Sequence, residues 1–312
     1  MPPKLGYLLP TREQIMEGQP DAASLLALAA RAETEGFDSV WVGDSLLARP
    51  RHEPLTLLAG VAGRVPRLEL GTAVLLPALR NPVLLAHQVA TLDQVSEGRL
   101  ILGVGFAADV PNIRAEFAAA GVPFEKRIGT MMEGLRLCRA LWTGQPVDWD
   151  GRWPVHQGVL APTPYRPGGP PLWIGGNRAT SLERAGKFFD GWFPVAPAAD
   201  AFGEGLRRVR QIAQTAGRDP AAVTGAMYMT IALDEDAAKA EARLNSFLER
   251  YYLQPAAAIR AHQACYAGPA AGVAEYLDGY ARAGADHLVI RFAGEHATHM
   301  TALAKVRTAL GW

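Results

Sequence analysis

Short apolar runs alternate with longer amphipathic stretches from one end of the chain to the other, and this alternation predicts repeated strand–helix units. A first strand is expected at 4–10, followed by a helix that Asp21 can cap and Gly36 can end. Further strands fall at 37–44, 68–77 and 99–105, the last apolar almost throughout, as burial on both faces requires. Helices at 53–64 and 81–95 separate them, the second with Pro82 in its first turn, where a missing N–H costs least. A fourth helix covers 126–142. Strands at 171–176, 190–195, 223–234 and 286–294 complete the series, each followed by helical sequence, the last running to Trp312. Eight βα units across 1–312, with no linker between them, predict one α/β domain: a closed (β/α)8 TIM barrel with insertions in its strand-to-helix loops. A doubly wound open sheet is the alternative. The insertions are 105–125 and 143–170, and the second is so rich in proline (Pro146, Pro154, Pro162, Pro164, Pro167, Pro170, Pro171) that an irregular surface excursion is expected.

The fifth strand ends in an unusual way. In PLWIGGN, residues 171–177, an apolar run closes on two glycines and an amide, and helical sequence begins at once. Glycines let backbone N–H groups approach a ligand closely, and a helix start adds unpaired N–H groups and partial positive charge. Gly175, Gly176, Asn177, Arg178 and Thr180 therefore form a candidate phosphate seat, with a purely steric strand-to-helix turn as the other reading. In a barrel this turn lies on the C-terminal face, where ligands bind, together with Asp44, Pro77, the stretch from Gly105 to Asp109, and Arg291.

These segments resemble the bacterial luciferase-like family of flavin- and deazaflavin-dependent oxidoreductases. The most specific block is LELGTAVLLP at 68–77 followed by RNPVLLAHQVATLDQVSEGRLILGVG up to 105. Glu116, Gly121, Phe124, Arg127, Glu133 and Trp142 match in order, as do Pro171, Trp173, Gly175, Gly176 and the run Asp190, Gly191, Trp192. The resemblance implies a barrel, a homodimer, a small-molecule substrate and a dissociable cofactor, either FMN or coenzyme F420. It places the cofactor ring against Thr72, Ala73 and Val74, beside a non-proline cis peptide at Ala73–Val74, and along Gly103, Val104 and Gly105. Asp44 is the implied catalytic, proton-handling candidate. The sequence departs from the deazaflavin sugar-phosphate dehydrogenases at two places: Ser45 stands where histidine follows the aspartate, and Ala108 where a glutamate is found. That argues against a sugar-phosphate alcohol dehydrogenase, which needs a base to take the hydroxyl proton. Two chemistries remain: oxygenation of an apolar substrate with reduced FMN, or hydride transfer with coenzyme F420. A non-catalytic flavin-binding barrel is the competing class, and a hydrolase on the same barrel would need paired carboxylates that are not evident.

The substrate candidates are His52, in a loop just after Arg49 and Arg51, Asp109 and Arg291. His287 reads as structural, and His296 with His299 lacks a third metal ligand, so no metal is expected. Composition changes little. With 31 basic and 31 acidic residues, the chain shows no excess charge for nucleic acid or an anionic membrane. Two cysteines, Cys138 and Cys265, both in helical-looking sequence, suggest buried thiols in a reducing compartment. No run approaches the length of a membrane helix and no leader is apparent, so the expectation is a cytoplasmic protein.

Overall fold

The computed structural model describes residues 2–312. Its strands are β1 (Lys4–Leu8), β2 (Ser39–Val42), β3 (Glu69–Thr72), β4 (Leu100–Val104), β5 (Val147–Trp149), β6 (Val155–Gly158), β7 (Leu172–Ile174), β8 (Gly191–Trp192), β9 (Thr224–Leu233), β10 (Cys265–Gly268) and β11 (His287–Phe292). Parallel pairing runs β9–β11–β1–β2–β3–β4–β7–β8, and β8 pairs back onto β9 through Gly191 with Thr224 and Trp192 with Gly225. The sheet is therefore a closed eight-stranded barrel, and the open-sheet alternative falls. Helices between the strands form the outer layer. Local sequence explains their ends. Asp21 accepts from the N–H groups of Ala23 and Ser24, Gly36 takes a φ of +84°, and Asn81 caps the helix that opens with Pro82. Among the described residues no helix is long and apolar enough to cross a membrane.

The insertions hold more regular structure than their sequence announced. Residues 105–125 include a helix at Pro111–Ala119, started by a proline at its first position. The proline-rich excursion contains an antiparallel hairpin, β5 with β6, pairing Val147 with Gly158 and Trp149 with Val155. Pro146 and Pro154 stand immediately before the two strands, outside the ladder, so their missing N–H groups cost nothing. Cys265 is in a strand, not in the helical segment expected for it. β9 runs on past Gly225, where β8 stops, and β10 takes the vacated edge, pairing Cys265 with Thr230 and Gly268 with Leu233. Cys138 is buried in the helix Arg127–Leu141.

Two cores are separated by the sheet. Outward-facing residues such as Val40, Leu70, Leu102, Val104 and Ile290 pack against the helices. Inward-facing Leu8, Trp41, Ile101, Trp173, Phe193, Ala226 and Val289 fill the barrel. Trp41 lies 5.3 Å from Trp173 and 5.2 Å from Phe193, ring centre to ring centre. Gly6 and Gly71 make room for it, since a side-chain carbon at either would run into its indole. The indole Nε1 donates to Ser39 Oγ (2.7 Å), which in turn bonds His287 Nε2 (2.7 Å).

Candidate functional site

Above this aromatic filling, the C-terminal strand ends enclose a cavity of 210 Å³. Leu8, Leu76, Ile113, Phe193 and Val195 give it apolar walls, Ala73 and Val74 a backbone wall, and Tyr228, Tyr251 and Tyr252 an aromatic side. The peptide bond Ala73–Val74 is cis. Ladder bonds hold this segment against β4: Leu75 N–H donates to the Gly103 carbonyl (2.8 Å), and Gly105 N–H to that of Leu75 (2.9 Å).

The residues expected at the ring do not all face the cavity. Thr72 is fully buried, and its hydroxyl donates to the Gly103 carbonyl at 2.7 Å. Gly103 faces inward, but its space is taken by the Thr72 carbonyl and the Phe193 ring, so it serves packing within the barrel. Val104 points the other way, into the helix layer, because alternate residues of a strand face opposite sides. Gly105 packs on Val74, which leaves Ala73 and Val74 as the pair that faces the cavity.

Asp44 is at the cavity but is already engaged. Arg80 grips it with two nitrogens (2.5 and 3.1 Å), and Leu76 N–H donates to it at 2.9 Å. With its side chain 1% exposed, this carboxylate anchors the loop after β3 and is poorly placed to exchange a proton with a ligand. Asp109 is exposed and bonded twice to Arg114 (2.6 and 2.8 Å), turned towards the Pro111–Ala119 helix; its neighbours Ala107 and Ala108 line the cavity instead. His52 is half-buried with Nδ1 unpartnered, and it is Arg49 and Arg51, just before it, that reach the cavity wall. Of the three substrate candidates, Arg291 alone is on that wall.

Arg291 is 1% exposed. Its guanidinium donates to Thr230 Oγ1 (3.1 and 2.8 Å), Tyr252 Oη (3.0 Å) and Gln263 Oε1 (3.1 Å). Burial opposes its charge, but the surrounding Tyr228, Tyr252 and Tyr251 hydroxyls and Glu13 outweigh that, so its pKa is raised and it stays charged. Burial pushes the Tyr228 phenol well up, which keeps it protonated at neutral pH. Arg80, Arg49, Arg51, Tyr228 and Tyr252 were not among the residues singled out by sequence. The only signal for the first three was the arginine in RNPVLL and the pair just before His52.

The glycine turn sits beside the cavity rather than on its wall. Gly175 N–H donates to the Val104 carbonyl at 3.2 Å. Gly176 has a φ of +103°, and a Cβ there would lie 2.7 Å from Ser181 Oγ and 3.4 Å from Phe106 Cζ. Its carbonyl accepts from Trp192 Nε1 at 2.7 Å, which fixes the turn to β8. The helix Ala179–Phe188 begins after Arg178 with no side chain capping its N–H groups. Asn177, Arg178 and Thr180 are exposed. The seat thus presents open backbone donors to solvent, and Phe106 links it to the Ala107–Ala108 wall of the cavity.

Comparison with known proteins places this geometry in context. The sequence pattern of luciferase-like monooxygenases matches residues 3–309. The chain is 32% identical over 241 residues to a 5,10-methylenetetrahydromethanopterin reductase of Methanolobus tindarius, covering 73% of this chain and 71% of that protein. It is 30% identical over 251 residues to an F420-dependent glucose-6-phosphate dehydrogenase of Kineococcus radiotolerans, covering 77% and 71%. In fold it is similar to an F420-dependent secondary alcohol dehydrogenase solved with an F420–acetone adduct, with a TM-score of 0.85, 21% identity, and 99% of each chain covered.

Proposed function

The chain belongs to the luciferase-like monooxygenase family, and from that premise we propose an oxidoreductase that binds a flavin-type cofactor, F420 or FMN, across the mouth of the barrel. The F420-dependent dehydrogenase relative supports F420 as the first candidate, and both it and the reductase support hydride transfer as the chemistry. Oxygenation with FMN is the second reading. The observation that carries the proposal is the turn at Gly175–Gly176. It carries an uncapped helix start, suited to a phosphate, and Phe106 connects it to the Ala107–Ala108 wall of a cavity whose apolar side suits a ring.

In this reading the amides from Gly176 to Thr180 hold the cofactor's phosphate, and Ala73 with Val74 supports its ring. The cofactor when bound supplies the hydride or electron pair. Leu8, Leu76, Ile113, Phe193 and Val195 exclude water from the reacting end. Tyr228 Oη, kept protonated, is the hydrogen-bond donor to a substrate oxygen. Asp44, through Arg80 and Leu76 N–H, positions the backbone that follows β3. The homodimer implied by the resemblance belongs to the same proposal.

Titration of the purified protein with F420 and with FMN, followed by cofactor fluorescence, tests it. One of the two should bind, and Thr180→Glu, which puts a carboxylate beside the seat, should weaken that cofactor by about tenfold or more, the equivalent of ~1.4 kcal/mol. Neither cofactor binding, or an unchanged affinity in the variant, would overturn the placement.

A further inference from the structure

We propose that the cavity selects an organic anion, a flat body carrying a carboxylate or phosphate group, through an arginine cage formed by Arg51, Arg291 and Arg49 with Arg12 behind them. The inference rests on the oxidoreductase reading above and names its substrate class.

Three arginines line the cavity, and no described ion pair includes any of them. Arg291 bonds only to neutral hydroxyl and amide oxygens. Arg51 donates through Nε to the Arg49 carbonyl at 3.1 Å, and its head occupies the space that the missing side chain of Gly43 leaves open. Arg49 lies over the Tyr252 ring at 5.0 Å. Arg12 and Arg291 each lie 4.6 Å from the centre of the Tyr251 ring, and Nε and Nη1 of Arg12 are buried without partners.

The acidic groups nearby do not answer this charge. Asp44 is bound by Arg80 and Leu76 N–H. Glu116 accepts from Ser45 Oγ (2.7 Å) and the N–H groups of Leu47 (3.1 Å) and Ala48 (2.6 Å). Glu13 remains, buried with Oε1 unpartnered, and burial raises its pKa, which weakens it as a counter-charge. Four guanidiniums thus have one reluctant carboxylate nearby, and its charge acts on Arg291 and Arg51. Charge held out of water is costly unless an opposite charge offsets it. An anion entering the cavity supplies that charge, and the planar guanidinium fork matches a carboxylate or phosphate in particular. Tyr228, Tyr252 and Phe193 give the body of such a ligand flat apolar faces to lie against. The residues of the phosphate seat are absent from this wall, so the cage and the seat are separate sites.

Calorimetric titration of the cofactor-free protein with benzoate, phenyl phosphate and neutral benzyl alcohol tests the cage. At least one of the two anions should bind at least about tenfold more tightly than the alcohol, and added salt should weaken it. Arg291→Met should reduce anion affinity by about tenfold or more while F420 and FMN titrations stay unchanged. If that variant does not fold, half-buried Arg49→Met carries the same test with a smaller expected loss. Equal binding of benzyl alcohol would overturn the proposal. So would loss of cofactor rather than anion affinity in the variants, since the cage would then hold the cofactor's tail. Because the anion titration needs no cofactor, failure of the F420 and FMN titrations alone would remove the oxidoreductase reading and leave the cage standing as an anion site.

Discussion

Below the cavity, Trp41, Trp173, Phe193 and His287 fill the barrel, and the polar atoms of Trp41, Ser39 and His287 are chained to one another. A few ångströms higher, guanidiniums outnumber carboxylates, and Arg12, Glu13 and His52 keep buried polar atoms without partners. Unsatisfied buried groups destabilise a fold, so the lower layer is where stability is concentrated and the mouth is where it is given up for recognition. The same strands build both layers: β9 supplies Ala226 below and Tyr228 and Thr230 above.

The sharpest way to break this contrast is to overfill the lower layer. Gly71→Val places carbon atoms inside the Trp41 indole, and overpacking of this kind costs about 3 kcal/mol or more. Urea unfolding should show that loss, whereas Arg49→Met at the mouth should shift stability by no more than about 0.5 kcal/mol. Asp44→Ala falls between the two. It leaves Arg80 with Glu53 alone and Leu76 N–H unpaired, and should cost about 2 kcal/mol in the same assay. A stability change near zero would mean that the pair is dispensable.

Acid should act on the buried histidines, since the arginines are already protonated. Burial, with the Lys4 charge, pushes the His287 pKa down to about 3, and burial with His299 pushes His296 down to about 4, against an ordinary value of 6.5. The unfolded chain therefore binds more protons than the folded one between those values. The stabilisation is fully present above pH 6.5 and is lost as pH falls, by about 1.4 kcal/mol per pH unit for each histidine. His287→Gln should flatten that slope in pH-dependent urea melts. The smallest effect separates stability from binding at one residue. Thr180→Glu adds an acid to the first turn of its helix, which should raise stability by about 0.3–1 kcal/mol while weakening the cofactor.

The eight barrel strands were legible in the sequence because their signal is local: an apolar run, a turn residue, an amphipathic stretch. β10 was not, because what makes Cys265–Gly268 a strand is the free upper edge of β9, whose paired residues, such as Thr230 opposite Cys265, lie far back in the chain. The site divides along the same line. Gly175 and Gly176 announce a turn wherever they occur, and Arg291 is marked by its place among apolar neighbours. The commitment of Asp44 to Arg80 depends on a residue 36 positions away. Val104 was read into the site through the family resemblance, although its alternation with Gly103 and Gly105 already turned it outward.

The barrel closes on its shortest strand. β8 has two residues, and it meets β9 through only two paired positions. A ladder this brief should open more readily than the six-position ladder of β9 with β11, so amide hydrogen exchange should be faster along that staple than there. Trp192 at its end also donates to the Gly176 carbonyl, so the hinge of any such opening is tied to the turn that would receive the anionic tail. Docking there should slow deuterium uptake at Gly191–Phe193, making the seam itself a reporter of occupancy.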